Sequence, residues 1–365
     1  MSRAFSRPSY GRKLGDFTPG DVYAHPWDVT VDDGMIALFS SAFQDATPVF
    51  ASRAYARAVG FHDRPVHPLL LLNLGLSFSV HDVSEQAIAH LAYIDVRFPE
   101  PCYAGDSVTA SSRVLDVKPS SKGDRGVVEV RTVLESDRGH VVCRFDRKAL
   151  VRAGMVEARP VNAWPRATQP EGEVPSLPAA LRGELKPAAR SAGFAGFFED
   201  FAVGDQLSHG VGKTVGESEH MLMTQLCRNS HPIHFDEAYC KENSFAKTRV
   251  VYGGLVLSWV LALTSRDLSG NGLWDAGLDE GAHPNGVVAG DTLYASSKVL
   301  AKEDHGPNAG ILTLRVVGTK NRPGAELDPT GANLFTPELT KKDGKMPDKV
   351  VEITRKLLLR KRPAR

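Results

Sequence analysis

The stretch from Arg228 to Ser265 reads RNSHPIHFDEAYCKENSFAKTRVVYGGLVLSWVLALTS and joins a polar turn to a long apolar segment. After the glycine pair Gly253-Gly254, the run from Leu255 to Leu263 is apolar except at Ser258. This run is shorter than the ~20 residues that cross a bilayer, so it predicts a helix buried on nearly every side. A helix that begins at two glycines offers unpaired N–H groups and a partial positive charge to a closely approaching ligand.

The polar turn ahead of this helix carries groups that could react. His234 can accept and return a proton near neutral pH, whereas Asn229 can hold a water molecule but cannot exchange a proton. Each feature alone has a simpler explanation, since most histidines are ordinary core or surface residues and a Gly-Gly pair most often makes a tight turn. Their combination with the helix start at Gly254 favours a reaction centre.

Length and composition set broad limits on the protein class. A chain of 365 residues is long enough for two domains, and its net charge of +1 predicts no strong attraction to nucleic acid or an anionic membrane. The four cysteines show neither a C-x-x-C spacing nor the density of a disulfide framework. The opening MSRAFSRPSYGRKLG lacks the apolar core of a secretory signal, so we expect a cytoplasmic protein.

Three blocks of sequence occur twice, in the same order and with nearly the same separation. Their first members begin at Leu14, Asp45 and Tyr103, and their second members begin at Phe198, Asn229 and Val288. Such a repeat predicts a duplicated domain. The predicted organisation is an N-terminal unit over residues 1–152, a proline-rich connector over 153–193 and a C-terminal unit over 194–365.

Each copy shows one long apolar helix followed by strand-like segments with alternating or β-branched residues. The predicted strands are Ala92–Phe98, Asp106–Val117, Gly126–Ser136 and His140–Val151 in the first copy, and Gly290–Leu300, Gly310–Thr319 and Lys349–Arg360 in the second. One helix with consecutive strands indicates an α+β unit whose antiparallel sheet wraps around that helix. The second copy also carries an extra Gly/Pro-punctuated loop, roughly Arg322–Asp348.

The turn and the glycine pair resemble those of the MaoC-type dehydratases, the R-specific enoyl-CoA hydratase group with the hotdog fold. That family reads Asp-x-Asn-Pro-Ile/Leu-His and then opens its buried helix with Gly. The second copy matches at Pro232, Ile233 and His234, with Gly254 at the helix start. The resemblance covers both copies and implies an α+β double hotdog, a known arrangement of this family. Length, duplication and the Tyr-Gly-Gly sequence resemble the mesaconyl-CoA hydratases in particular.

The resemblance implies roles for individual residues. His234 would be the general base and acid, and the Gly254 N–H would stabilise negative charge on the thioester oxygen. The full set of candidates is His234, Asn229, His231 and Gly254 for catalysis, and Gly253, Tyr252 and Pro232 for substrate binding. We expect no metal site, because no cluster has metal-ligand spacing and no Cys or acidic third ligand completes a set with His231 and His234. No cofactor is expected beyond the coenzyme A of the substrate.

The match to the family is incomplete in both copies. Asn229 stands where the family has Asp, and His231 stands where it has Asn. In the first copy, Phe50 occupies the position of the catalytic His, and Pro68, which has no N–H, occupies that of the oxyanion glycine. The first unit is therefore predicted to be degenerate, leaving one active site per chain.

Three residues are candidates to replace the missing family carboxylate. His231 could share the proton transfer, Asp236 could orient His234, or Asp45 could contribute from the first copy. For each of them a capping or solvated role is an open alternative.

The resulting hypothesis is an acyl-CoA hydratase/dehydratase for a short branched or dicarboxylic enoyl thioester, such as mesaconyl-CoA and β-methylmalyl-CoA. Alternatives are hydration of straight-chain 2-enoyl-CoA or itaconyl-CoA, a non-catalytic acyl-CoA-binding protein, and, with less support, a CoA-thioester hydrolase. The family resemblance also implies a homodimer.

Overall fold

The computed structural model describes residues 11–156, 169, 172–186, 196–340 and 344–363. The strands are β1 Val22–Thr30, β2 Ala87–Arg97, β3 Ser107–Pro119, β4 Arg125–Ser136, β5 Val141–Arg152, β6 Gln206–Ser208, β7 Lys213–Thr214, β8 Gly272–Ala282, β9 Thr292–Asp304, β10 Ala309–Lys320 and β11 Lys349–Arg360. The α-helices are α1 Asp33–Phe43, α2 Pro48–Ala51, α3 Arg53–Val59, α4 Pro68–Phe78, α5 Ala179–Arg182, α6 Glu217–Leu226, α7 Glu237–Asn243, α8 Gly253–Leu263, α9 Ser265–Leu268 and α10 Gly324–Leu327.

The described strands form one antiparallel sheet that runs through both copies. Their order is β1-β3-β4-β5-β2-β8-β11-β10-β9-β6, and β7 pairs with β9 outside this path. The two halves meet where β2 pairs with β8, through Tyr93 opposite Gly281 and Val96 opposite Leu278. The antiparallel sheets of the two copies are thus joined side by side into one sheet.

Each half of the sheet curves around one buried helix. Every residue of α4 is buried, and α8 is buried from Gly254 to Ala262, as a helix apolar all round requires. The two helices touch, because Asn73 Nδ2 donates to Ser258 Oγ at 2.9 Å. A Cβ on Gly254 would lie 2.1 Å from Asn73 Oδ1, so this glycine has a packing role as well.

The two copies repeat small hydrogen-bonding details as well as elements. The backbone N–H of Thr47 donates to Asp45 Oδ1 at 2.8 Å, and that of His231 donates to Asn229 Oδ1 at 3.0 Å. The isolated bridges Pro65–Tyr103 and Val250–Val288 also correspond. This correspondence supports the duplication read from the sequence.

An Asp-His-Ser chain of hydrogen bonds with a buried histidine occurs once in each copy. Its members are Asp82, His25 and Ser112 in the first copy, and Asp267, His209 and Ser297 in the second. The Asp–His distances are 2.9 and 2.6 Å, and the His–Ser distances are 2.7 and 2.9 Å. Because it occurs in both copies, we interpret it as a structural tie from the segment after each central helix to the sheet.

Two long strands were not predicted from the sequence. Strand β8 reads GLWDAGLDEGA, whose glycines and acidic residues give no alternation, and it is buried along most of its length at the centre of the sheet. Strand β1 contains Pro26 and has an irregular register between Ala24 and Asp28, so it suits only a sheet edge. All seven predicted strands are confirmed, with ends that shift by a few residues.

The proline-rich connector is only partly described. Pro160, Pro165, Pro170 and Pro187 lie outside the described residues. In the described segment 172–186, Leu177, Leu181 and Leu185 are buried. His305 Nε2 donates to the carbonyl of Leu181 at 2.8 Å. This part of the connector is therefore packed against the second unit rather than simply extended over the surface.

Candidate active site

A cavity of about 320 Å³ lies between the two units and is lined by residues of both. Six of the seven predicted site residues line it: Asn229, His231, His234, Tyr252, Gly253 and Gly254. Pro232 does not line the cavity and instead begins the one-turn helix Pro232–His234, so its predicted substrate contact is absent from the observed wall. The first unit contributes residues that were not predicted, including Ala89, His90, Tyr93 and Arg147.

His234 is held as a neutral base. Its Nδ1 lies 2.8 Å from the carbonyl oxygen of Val250, which can only accept, so Nδ1 carries the proton and the Nε2 lone pair is left available. Burial, reinforced by His231, lowers the pKa of His234 to about 3. The hypothesis that Asp236 orients this ring is wrong, because Asp236 is exposed and accepts from the N–H of Tyr239 at the start of α7.

His231 caps the one-turn helix Pro232–His234. Its Nδ1 accepts the N–H of Ile233 at 3.2 Å. Burial lowers the pKa of His231 to about 4. The contact with Ile233 favours a capping role for His231 over the predicted share in proton transfer.

Asn229 is buried and its orientation is set by one donor. Its Oδ1 accepts the N–H of His231, so its Nδ2 is the group left to donate into the cavity. Asp45, its counterpart, is paired with His67 Nε2 at 3.2 Å in the first unit and does not line the cavity. Asp45 is therefore excluded as a replacement for the family carboxylate.

The start of α8 offers free donors. Tyr252 makes no side-chain cap, and no acceptor among the described residues takes the N–H of Gly253 or Gly254. Tyr252 is itself fixed in the wall, since its hydroxyl donates to the carbonyl of Asn73 at 3.3 Å and accepts from Ser77 Oγ at 3.4 Å. The cavity therefore combines a neutral imidazole with an uncapped, positively polarised helix end.

The corresponding helix start in the first unit is closed. The helices align Pro68 with Gly253 and Leu69 with Gly254, one residue away from the predicted match of Pro68 with Gly254. The helices are offset by 185 residues, like the blocks at Tyr103 and Val288, whereas the predicted match implied an offset of 186. The N–H of Leu69 donates to His67 Nδ1 at 3.1 Å, and Pro68 has none, so the predicted loss of this donor site still holds.

Aromatic rings fill the first unit where the second has its cavity. Phe50, the counterpart of His234, packs on His67 with ring centres 4.6 Å apart and on Trp274 at 5.6 Å. Trp274 lies opposite Leu358 on β11, and in the repeated register Ala89 lies opposite Leu150 on β5. Trp274 thus occupies the wall position that corresponds to Ala89 in the cavity of the second unit, and its ring fills space there that Ala89 leaves open.

These features match a known family over most of the chain. The model of the mesaconyl-CoA hydratase family matches residues 2–184 and 184–330. The chain belongs to the mesaconyl-CoA hydratase family. It is 36% identical to a mesaconyl-CoA hydratase of Cereibacter sphaeroides over 321 residues, covering 85% of this chain and 90% of that protein. It is 31% identical to a β-methylmalyl-CoA dehydratase of Chloroflexus aurantiacus over 325 residues, covering 86% and 89%.

Solved structures agree with the predicted fold. A MaoC domain dehydratase from Chloroflexus aurantiacus superposes with a TM-score of 0.83 at 28% identity, covering 98% of this chain and all of that one. Rv0216 of Mycobacterium tuberculosis, described as a double hotdog, superposes with a TM-score of 0.66 at 20% identity over 96% of this chain and 98% of its own. The predicted double hotdog and the hydratase/dehydratase class are confirmed.

Three further properties of the described residues concern membrane-spanning helices, metal-binding clusters and cysteines. Within the described ranges, no helix has the length and apolar character that a membrane span requires. The same residues contain no group of three or more His, Cys, Asp or Glu side chains that could hold a metal ion. All four cysteines are free thiols and buried.

The cavity histidines predict how stability depends on pH. Burial lowers the pKa of His283 to about 4 and that of His90 well below 6.5, as for His231 and His234. Below about pH 6.5 the unfolded chain therefore binds protons that the folded chain does not. The free energy of unfolding should fall from pH 6.5 toward about 4, by up to ~1.4 kcal/mol per pH unit for each imidazole.

Urea unfolding at several pH values across this window measures the effect. The buried carboxylates Asp45 and Asp82 have pKa values lowered from 3.8. Their contribution to the free energy of unfolding is therefore lost at more acidic pH than that of the histidines, so the two effects can be separated. A His283→Gln variant should show a shallower slope. Stability independent of pH across the window would contradict neutral, buried imidazoles.

Proposed function

We propose that this protein adds water across the C2=C3 bond of a short, branched, dicarboxylic enoyl-CoA such as mesaconyl-CoA, and catalyses the reverse dehydration of β-methylmalyl-CoA. The observation that carries the proposal is the neutral His234, with Nε2 available, in one cavity with the uncapped start of α8. The names of the relatives from Cereibacter sphaeroides and Chloroflexus aurantiacus support this acyl group.

The uncapped helix start supplies the stabilisation of negative charge. The thioester carbonyl accepts the Gly254 N–H, and the Gly253 N–H lies one residue earlier on the same helix end. As hydroxide adds to C3, the double-bond electrons move onto the thioester oxygen, where these donors and the helix dipole stabilise the enolate. Losing one such donor typically costs ~10²–10³ in rate.

His234 moves the proton in both half-steps. Its Nε2 takes a proton from water as the C3–O bond forms, and the resulting imidazolium returns that proton to C2 as the carbonyl reforms. The low pKa of His234 makes this imidazolium a strong acid, so proton uptake from water must be closely coupled to the return of the proton to C2. Asn229 Nδ2 can donate to the water oxygen and hold it, but it exchanges no proton.

A panel of enoyl-CoA thioesters tests the proposed substrate class. Mesaconyl-CoA, itaconyl-CoA, crotonyl-CoA and a longer straight-chain 2-enoyl-CoA are compared by the loss of the conjugated double bond, where one exists, and by product mass. We expect the highest kcat/KM with mesaconyl-CoA. A preference for the straight-chain thioesters would contradict the dicarboxylic assignment and favour the R-specific hydratase alternative.

Restoring the family carboxylate by Asn229→Asp tests the reason for its absence. A second negative charge in this desolvated cavity repels a dicarboxylic acyl group. We expect kcat/KM to fall more for mesaconyl-CoA than for neutral crotonyl-CoA, by at least ~10-fold. Steady-state kinetics with both thioesters measures the ratio, and equal effects would remove the link between Asn229 and a charged substrate.

We also propose a homodimer in the cytoplasm that needs no cofactor beyond the coenzyme A of its substrate. Family resemblance supports the dimer, and four unpaired thiols are compatible with a reducing compartment. Light scattering after size-exclusion chromatography tests the dimer. Full activity after dialysis against a chelator supports the absence of a metal requirement.

A further inference from the structure

We propose that Arg147 binds the free carboxylate of the acyl group and so selects dicarboxylic thioesters. The proposal rests on the proposed function, because it names the specificity residue of that same cavity. Arg147 lies on β5 of the degenerate first unit and lines the cavity together with His234. The first unit would therefore supply substrate recognition to the catalytic groups of the second.

Arg147 is a buried cation whose observed partners are neutral. The residue is only 3% exposed. Its guanidinium donates to Ser79 Oγ at 2.7 Å and to Ser84 Oγ at 3.3 Å, and its Nε has no partner. Among the described residues, no carboxylate lies within ion-pair distance of it. Such a charge is costly to bury without a counter-ion, so a site for an anion is expected here.

The second unit shows the same arginine with its counter-ion present. Arg355 on β11 lies 2.5 Å from Asp275 through Nε–Oδ1 and 3.3 Å through Nη2–Oδ2. It also donates to Thr264 Oγ1 and Ser269 Oγ at 3.3 Å, the counterparts of Ser79 and Ser84. The two arginines thus occupy equivalent surroundings, except for the carboxylate.

Strand register identifies what replaced that carboxylate. Asp275 lies opposite Leu357 between β8 and β11, and His90 lies opposite Ala149 between β2 and β5. The same register places Arg355 opposite Leu278 and Arg147 opposite Tyr93, so the two arginines occupy corresponding positions in their sheets. His90 therefore occupies the position of Asp275, and it too lines the cavity. The duplicated ion pair therefore lacks its acid at a position that lines the cavity.

The chemistry and size of the cavity identify the anion. A guanidinium binds a carboxylate through two parallel hydrogen bonds, as Arg355 binds Asp275. A cavity of about 320 Å³ that also holds His234 is large enough for a short acyl chain but not for the nucleotide of coenzyme A as well. The ligand group is therefore the distal carboxylate of the acyl chain, rather than a phosphate.

Arg147→Met tests the assignment, because methionine keeps an unbranched side chain without the charge. We expect kcat/KM for mesaconyl-CoA to fall by at least ~10²-fold, and that for crotonyl-CoA to change by less than about tenfold. Arg147→Lys keeps the positive charge but cannot donate two parallel hydrogen bonds to a carboxylate, so it should show a smaller loss than Arg147→Met. Equal losses with both thioesters would overturn the proposal.

A second variant gives Arg147 a carboxylate partner and controls for loss of activity through misfolding. His90→Asp should recreate the Arg355–Asp275 arrangement in the first unit, raise the melting temperature and exclude the substrate carboxylate. We expect it to weaken mesaconyl-CoA turnover by at least ~10²-fold, with a smaller effect on crotonyl-CoA. A stably folded His90→Asp protein that still prefers mesaconyl-CoA would contradict a role for Arg147 in selection.

Binding of saturated thioesters separates this proposal from the proposed function. Methylsuccinyl-CoA carries the distal carboxylate and isobutyryl-CoA does not, and neither can be hydrated. If wild-type protein binds methylsuccinyl-CoA at least ~10-fold more tightly and Arg147→Met loses that preference, Arg147 is assigned even where no hydration is detected. Equal affinities of the wild-type protein for the two thioesters would overturn the assignment, whatever the catalytic result.

Discussion

Replacing His234 with alanine is expected to lower the turnover of mesaconyl-CoA by at least ~10²-fold, the usual range for a general acid and base. The reason is that Nε2 of His234 is the available proton acceptor beside the free donors of α8, with Nδ1 engaged by Val250. Affinity for the thioester should survive, since coenzyme A supplies much of the binding. Stopped-flow rates and calorimetric affinities measure the two effects separately.

The neighbouring histidine provides a matched control. In His231→Asn, the side-chain oxygen can still accept the N–H of Ile233 that His231 Nδ1 accepts at 3.2 Å. We expect this variant to keep its turnover within about tenfold. Equal, deep losses in both variants would mean that the two imidazoles share the proton transfer, as the sequence allowed. An unchanged rate in His234→Ala would exclude His234 as the base.

Ala89→Trp should block hydration, because it places in the cavity of the second unit the residue type that Trp274 provides at the equivalent position of the first site. Trp274 holds the equivalent position and packs on Phe50, the counterpart of His234. A tryptophan at residue 89 would therefore occupy the space beside His234 where the acyl group must lie. We expect kcat/KM to fall by at least ~10²-fold, because even small displacements of a substrate have effects of that size.

The mirror substitution separates blocking of the site from damage to the fold. Trp274→Ala should destabilise the protein by ~3–5 kcal/mol, the usual range for a buried aromatic residue, while turnover by the folded fraction stays within about tenfold. Both variants are compared by thermal melting and by kinetics with mesaconyl-CoA. An Ala89→Trp protein that melts normally and keeps its activity would contradict the placement of the acyl group.

The architecture could be predicted because periodicity and repetition are properties of the sequence itself. The buried helix after Gly253 follows from an apolar run of suitable length, and the seven predicted strands follow from alternation or β-branched residues. Strand β8 was missed because a strand buried on both faces loses the alternating pattern. Its position at the junction of the two halves is set by pairing with β2, which no local signal reveals.

The candidate site was predictable only where one segment carries it. His234, Tyr252, Gly253 and Gly254 lie within one stretch, whereas the partner of His234 Nδ1 is the Val250 carbonyl, which every residue type would provide. Arg147 was missed because it belongs to the copy judged inactive. The segments DRKALVR in the first copy and TRKLLLR in the second align Arg147 with Arg355. That His90 stands where Arg355 has its partner Asp275 can be recognised only from the strand register.

Mass spectrometry of the thioester after incubation with wild-type protein in H₂¹⁸O tests directly whether the protein is a hydratase. Starting from mesaconyl-CoA, we expect a product that has gained one labelled water on the acyl chain and still carries coenzyme A. The His234→Ala protein should give almost none of this product in the same time. Unchanged mesaconyl-CoA with wild-type protein, or release of free coenzyme A with label in the acid, would contradict a hydratase.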